Sequence, residues 1–165
     1  MKQRTGIAGA TGHHERSAIA RSLATGSVAG LITTAVLALR GRREAGSSVA
    51  PINATSHVFW GDEAGTIDAV DAKHTVPGLL INSGAGIFWA LVHELLLERL
   101  PRRGPAAAAA SGAAVAGLAY VVDYHLIPRR LTPGWELRLS RKSVALGFAA
   151  LGLSLAIAGL TRARR

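Results

Sequence analysis

Residues 21–43 read RSLATGSVAGLITTAVLALRGRR. Ser22–Leu39 carries no charge, while Arg21 stands before it and Arg40, Arg42 and Arg43 follow. A helix needs roughly 20 mostly apolar residues to cross the hydrocarbon of a bilayer, and basic residues gather where such a helix meets water. Three more stretches share this form and lack Lys and Arg: Val76–Leu97, Pro105–Val122 and Ser143–Leu160. Glu98 and Arg99 follow the second, Asp123 ends the third, and Arg141–Lys142 and Arg162 flank the fourth. The pattern predicts an all-α fold, an integral membrane four-helix bundle. Short interfacial helices are expected in the 1–2 and 3–4 connections, with a polar N-terminal tail over 1–21 and a basic C-terminal tail over 161–165.

Composition agrees. The chain has 165 residues, of which 49% are hydrophobic and only 18% charged, where a soluble domain carries about 25%. Its mean hydropathy is +0.28. Such apolar content excludes disorder, and the absence of cysteine excludes a disulfide scaffold and Cys-ligated zinc. The formal charge of +9 is explained by the basic flanks, so no nucleic acid is implied; the bilayer itself is the expected partner. The Ala-rich third stretch could also be a buried helix of a soluble bundle, but it lies between two stronger spans. The late start of the first apolar run, ending at Leu39–Arg40, does not fit a cleaved signal peptide.

Small residues recur every four positions in the first span, at Ser22, Gly26, Gly30, Thr34 and Ala38. This spacing lets two backbones approach closely in lipid. Gly112 with Ala116, Ala113 with Gly117, and Gly152 with Ala156 repeat it in the third and fourth spans. Packing inside one bundle is the expected use. A homo-oligomer through the first helix, or a larger membrane complex, is the alternative.

Four spans put both termini and the connection Glu98–Gly104 on one side. Connections Arg40–Thr75 and Asp123–Lys142 share the other, which gathers seven of the ten acidic residues. Ten Lys and Arg on the terminal side against nine on the loop side leave the positive-inside count nearly tied. The acidic long loop favours cytoplasmic termini. Within that loop, Pro51 suits the start of a short helix, on which Asn53, His57 and Trp60 share a face while Ile52 and Phe59 point elsewhere, toward lipid or the helix bundle. Thr132–Pro133 reads as a cap and helix start, with Trp135 and Leu139 one turn apart. Trp60 and Trp135 then suit an interfacial aromatic belt.

Two polar groupings are candidates for chemistry. Gly78, Asn82, Gly86, Trp89 and His93 fall on one helical face of the second span, and polar groups in a span face the bundle interior. Glu94 is expected to reach water or pair with Arg99. On the loop side, His57, Trp60, Asp62, Asp123, Trp135 and Glu136 form the expected ligand- or partner-binding surface. His57, His74, His125, Asp62 and Asp123 are the candidate ligands should a metal or haem be held there. Their irregular spacing favours ion pairs with Arg129, Arg130 and Lys73 instead.

Several motifs fail. Gly6, Gly9 and Gly12 spell a glycine-rich turn with no strand before it. His93–Glu94 begins like a zinc-protease helix, yet Leu97 stands where the second His belongs. No nucleophile or acid–base pair has diagnostic spacing, His13–His14 lie in the polar tail, and the sequon Asn53-Ala-Thr55 means little alone.

Three stretches together carry a resemblance. They are Ala50 to Ala64 with its Asn53, His57, Trp60-Gly-Asp62; His74-Thr-Val-Pro-Gly78 through Phe88-Trp89 and His93–Glu94; and Asp123 through Arg129-Arg-Leu-Thr-Pro-Gly-Trp-Glu136 and Arg138-Leu-Ser140. Over roughly residues 20–160 the chain resembles a family of short, uncharacterised bacterial membrane proteins with four spans, sometimes labelled sodium:proline symporters. The resemblance implies the same architecture and weight on His57, Trp60, Asp62, His93–Glu94 and Thr132–Glu136. It supplies no activity. Symporters join two repeats around a midplane site, and four short spans supply only one.

The expected function is therefore that of a non-enzymatic membrane protein binding a partner or small ligand, in a bacterial inner membrane. The alternatives are a small dimeric proton-coupled transporter using Asn82, His93 and Glu94, similar in outline to small multidrug exporters, and a metal- or haem-binding membrane protein.

Overall fold

The computed structural model describes residues 5–100 and 104–163, with side chains from Ala18 onward. The side chains of His13 and His14, those between Gly6 and Gly12, and residues Arg102, Arg103, Arg164 and Arg165 lie outside the described residues. Four long helices, α1 (Thr5–Glu44), α4 (Thr75–Arg99), α5 (Pro105–Val121) and α6 (Arg141–Ala163), are joined by short elements, and no strand occurs among the described residues. The apolar runs long enough to cross a bilayer are Ala18–Glu44, Thr75–Arg99, Pro105–Leu126 and Arg141–Arg162. Each contains one expected span and exceeds it by a few residues, because the flanking polar residues stay in helix. The first goes further: α1 already begins at Thr5, ahead of the tail boundary expected at 21.

α1 lies between α4 and α6, α5 packs along α6, and α4 and α5 touch only lightly. Small residues set these contacts. A Cβ on Gly26 would strike the Ile87 backbone, and one on Gly86 would lie 2.8 Å from the Gly26 carbonyl oxygen. Gly112 meets Gly152 and Ala156 in the same way. Thus Gly26, Gly30, Gly112, Gly152 and Ala156 are spent inside one chain, whereas Ala113 and Gly117 face outward. Between the helices sits a core of Leu37, Trp89, Val115, Trp135, Phe148, Leu151 and Leu155. Only 33–50% of each spanning window is buried within the chain; Leu31, Leu80, Leu153 and Ile157 point outward. Such an apolar exterior is what lipid covers.

The two loop-side connections lie at the same end of the bundle, where they fold into one cap. α2 (Ala50–Thr55) is wholly buried, and α3 (His57–Trp60) continues it after a break at Ser56. A 3-10 turn, Gly61–Thr66, follows. From the other connection come a π-helical turn, Val122–Leu126, and 3-10 turns at Arg129–Leu131 and Trp135–Leu137. Ile52 turns into the helix bundle, one of the two places expected for it, because α2 lies against the first turn of α4, where Gly78 is in direct contact with the Ile52 carbonyl. One expectation fails here. Trp135 is no belt residue: it is 7% exposed and forms part of the core. The turn that carries it is only three residues long, and the left-handed Gly134 (φ 76°) before it drives the indole inward.

Candidate functional site

Buried polar groups must be bonded or they cost stability, so the cap is best read by following its donors and acceptors. Asn53, fully buried, donates to the carbonyls of Ile67 (3.0 Å) and Ala69 (2.9 Å) and accepts from Thr75 Oγ1 (2.7 Å). It ties the long loop to α4. The His57 ring, 2% exposed, meets the Thr132 carbonyl through Nε2 at 2.8 Å and thereby joins the two connections. Its Nδ1 is 4.0 Å from Asp62, which pairs with Arg129 at 3.1 Å. Arg130 donates to the carbonyls of Val58 and Phe59, both at 3.0 Å, and Arg138 to Gly65 and to Asp68. Glu136 accepts from Tyr124 (2.9 Å) and Thr132 (2.8 Å).

Trp60 remains 43% exposed, donates to the Lys73 carbonyl and lies under the Lys73 ammonium, 4.8 Å from the ring centre; Lys73 also pairs with Glu63 at 3.1 Å. The Asp62–Arg129 and Glu63–Lys73 pairs are the expected ones, while Arg130 takes backbone carbonyls instead. His74 stands against Asp71 (Nδ1 to Oδ2, 2.7 Å), whose other oxygen accepts the His74 backbone N–H. These contacts, the side-chain one foremost, hold the Asp71 carboxyl below the usual range.

The five candidate metal ligands do not converge. His57 is bonded to a carbonyl, His74 faces Asp71, and His125 is exposed and stacked edge-on to Tyr120. Among the described residues no three His, Asp or Glu side chains are placed to hold a metal ion.

At the opposite end, Glu94 is 3% exposed and neither reaches water nor pairs with Arg99. Arg21 Nε and Arg162 Nη1 both meet its Oε2 at 2.7 Å, and the same arginines approach Glu98 at 3.1 and 3.5 Å. This four-residue network clamps α1, α4 and α6 together. The residue before Glu94, His93, is fully buried and meets Ser111 Oγ of α5 at 3.0 Å. His93 and Glu94 are thus tied into helix contacts.

Gly78, Asn82, Gly86, Trp89 and His93 are all buried. Around Asn82 lies a partly open cavity of about 30 Å³, just beneath the cap. Gly30 and Thr33 of α1 back it, α4 contributes Asn82, Gly86 and Trp89, and Phe148 and Leu151 come from α6. Trp135 closes it from the cap side, and Ala85 and Asp123, the latter in the π-helical turn after α5, complete its wall. The Trp135 indole N–H donates to Asn82 Oδ1 at 3.3 Å, which fixes the amide so that its NH₂ is the unspent end. That nitrogen and Thr33 Oγ1 are buried with no partner, and among the described residues no cationic side chain pairs with Asp123.

Asp123, Trp135 and Asn82 therefore form one site, while His57, Trp60, Asp62 and Glu136 belong to the cap. Sequence reasoning missed Thr33 and Phe148 here, and Arg21 and Arg162 at the other end. The only signal for Thr33 was its position one turn after Gly30. No family model, curated protein or solved structure matches this chain.

Proposed function

We propose that the protein is a small, non-enzymatic, multi-pass protein of a bacterial inner membrane, with cytoplasmic termini, that works by binding a small ligand in the cavity beneath its cap. One observation carries this reading. The cavity gathers a carboxylate, an amide NH₂ and a hydroxyl that the fold itself leaves unspent, whereas the polar groups of the cap that sequence singled out are largely spent within it. A cavity of this size accommodates a water or a few heavy atoms, since one water needs roughly 10–15 Å³. Polar side chains without partners at membrane depth mark ligand and ion sites.

Trp89 and Trp135 line the cavity and the chain has three tryptophans, so intrinsic fluorescence of the purified protein reports on it. A panel of small solutes of different charge is expected to contain at least one that shifts the emission of the native protein but not of Asp123→Asn. A panel without effect on either would refute the reading. Cytoplasmic termini predict reporter activity from a cytoplasmic but not a periplasmic C-terminal fusion. Two inserted orientations would favour the dimeric transporter, although its Glu94 is held by two arginines.

A further inference from the structure

We infer that the cavity takes an ammonium group carrying an oxygen acceptor one or two carbons away, the chemistry of ethanolamine. This rests on the small-ligand reading of the same cavity. The charge preference follows from a contrast within the chain. Glu94, in the second span, is flanked by two guanidinium groups. Asp123, at the loop-side end of the third, has no cationic partner among the described residues. A carboxylate there favours a cation, and the Trp89, Trp135 and Phe148 rings around the cavity add the aromatic faces that attract ammonium groups.

The second group on the ligand follows from Asn82. Because Trp135 holds its oxygen, the amide offers only N–H to the cavity, and this buried donor asks for an acceptor. A bare alkylammonium leaves it unsatisfied. So does a metal cation, for which the cavity also has too few oxygens. A carboxylate-bearing ligand would satisfy Asn82 but be repelled by Asp123. An ammonium with a nearby hydroxyl or ester oxygen meets both, and Thr33 Oγ1 can bond to either end.

Such a group has two sources, a free amino alcohol or the headgroup of an ethanolamine lipid. Asp123 lies three residues before the end of its span at Leu126, so the cavity is near headgroup depth. It is also partly open.

The test uses the full chain in nanodiscs of phosphatidylglycerol, a lipid without an ammonium group, with tryptophan emission followed while ethanolamine, ethylamine, ethylene glycol or glycolate is added. Saturable binding of ethanolamine is expected, with ethylamine weaker and the other two silent. Asp123→Asn should weaken ethanolamine by about ten-fold or more, the scale of a lost charged hydrogen bond. Thr33→Val should weaken it less, with the thermal transition of both variants confirming that they fold. In discs containing phosphatidylethanolamine, loss of the free-ethanolamine response, restored by Asp123-independent removal of that lipid, identifies the headgroup as the source; an unchanged response identifies the free amine. Ethanolamine binding that survives Asp123→Asn undiminished, or no ammonium binding in any disc, overturns the inference. If ethylene glycol or glycolate binds in an Asp123- or Thr33-dependent way while ethanolamine does not, the ligand class is wrong and the cavity reading stands. If nothing binds, both fall.

Discussion

Individual side chains hold this molecule together through bonds that no local pattern announces. Glu94 is the sharpest case, buried and shared between Arg21 and Arg162. Removing one partner of a buried ion pair costs about 3–5 kcal/mol. Arg21 is 36% exposed, so Glu94→Gln is expected near the low end, about 3 kcal/mol, as a lowered midpoint in detergent unfolding. Gly134 is a second case. It adopts φ 76°, and a Cβ there would run into the Ala54 carbonyl. Gly134→Ala should therefore loosen the cap, exposing His57 and Trp135 to solvent and shifting tryptophan emission to longer wavelength.

Asp71 gives a pH dependence. Its carboxyl is held below the usual range by His74, so the ion is favoured more in the folded protein than in the unfolded one. Stability from it is complete above the unfolded carboxyl value, about 3.9, and is lost as pH falls through the lower folded value. Asp71→Asn should lower the thermal midpoint at pH 7, and the gap to the native protein should close in strong acid. A gap that is independent of pH would mean that the carboxylate charge is not what matters.

At the scale of elements, the helices are matched by their smallest residues. Gly86→Ala places a methyl 2.8 Å from the Gly26 carbonyl oxygen, and overpacking of this kind costs about 1–3 kcal/mol. Gly117 has nothing within 4 Å of its missing Cβ, so Gly117→Ala should be neutral or stabilise by up to about 0.5–1 kcal/mol through helix propensity. Equal effects would sink the claim that α1 and α4 touch through glycine. The four-residue stripe read along α1 is followed only through Gly30. Buried positions then move to Thr33, Leu37 and Gly41, while Thr34 and Ala38 are half-buried. A four-residue step overshoots the 3.6-residue turn by about 40° each time, so the contact face falls back by one residue. That drift is why Thr33 could not be picked from the stripe.

For the whole molecule, the chain's lack of cysteine makes topology directly measurable. Val70, 73% exposed in the cap, and Thr161, exposed near the end of α6, lie at opposite ends of the bundle. Single variants Val70→Cys and Thr161→Cys should label with an impermeant maleimide from opposite sides of sealed vesicles. Labelling from one side would break the four-span architecture.

Sequence alone determined the number of spans, their approximate limits, the side each connection occupies and the buried face of α4. These follow from hydrophobic length, charge placement and helical period, which are local quantities. The tertiary structure decided which polar residues are spent and which remain. Glu94 pairs across 73 positions with Arg21, and Trp135 reaches Asn82 across 53. Hydrogen bonds are settled by distance in space, and neither spacing nor composition encodes it. The loop-side cluster that sequence joined therefore divided into a cap with most of its polar groups bonded internally and a cavity around Asp123 with its groups unspent.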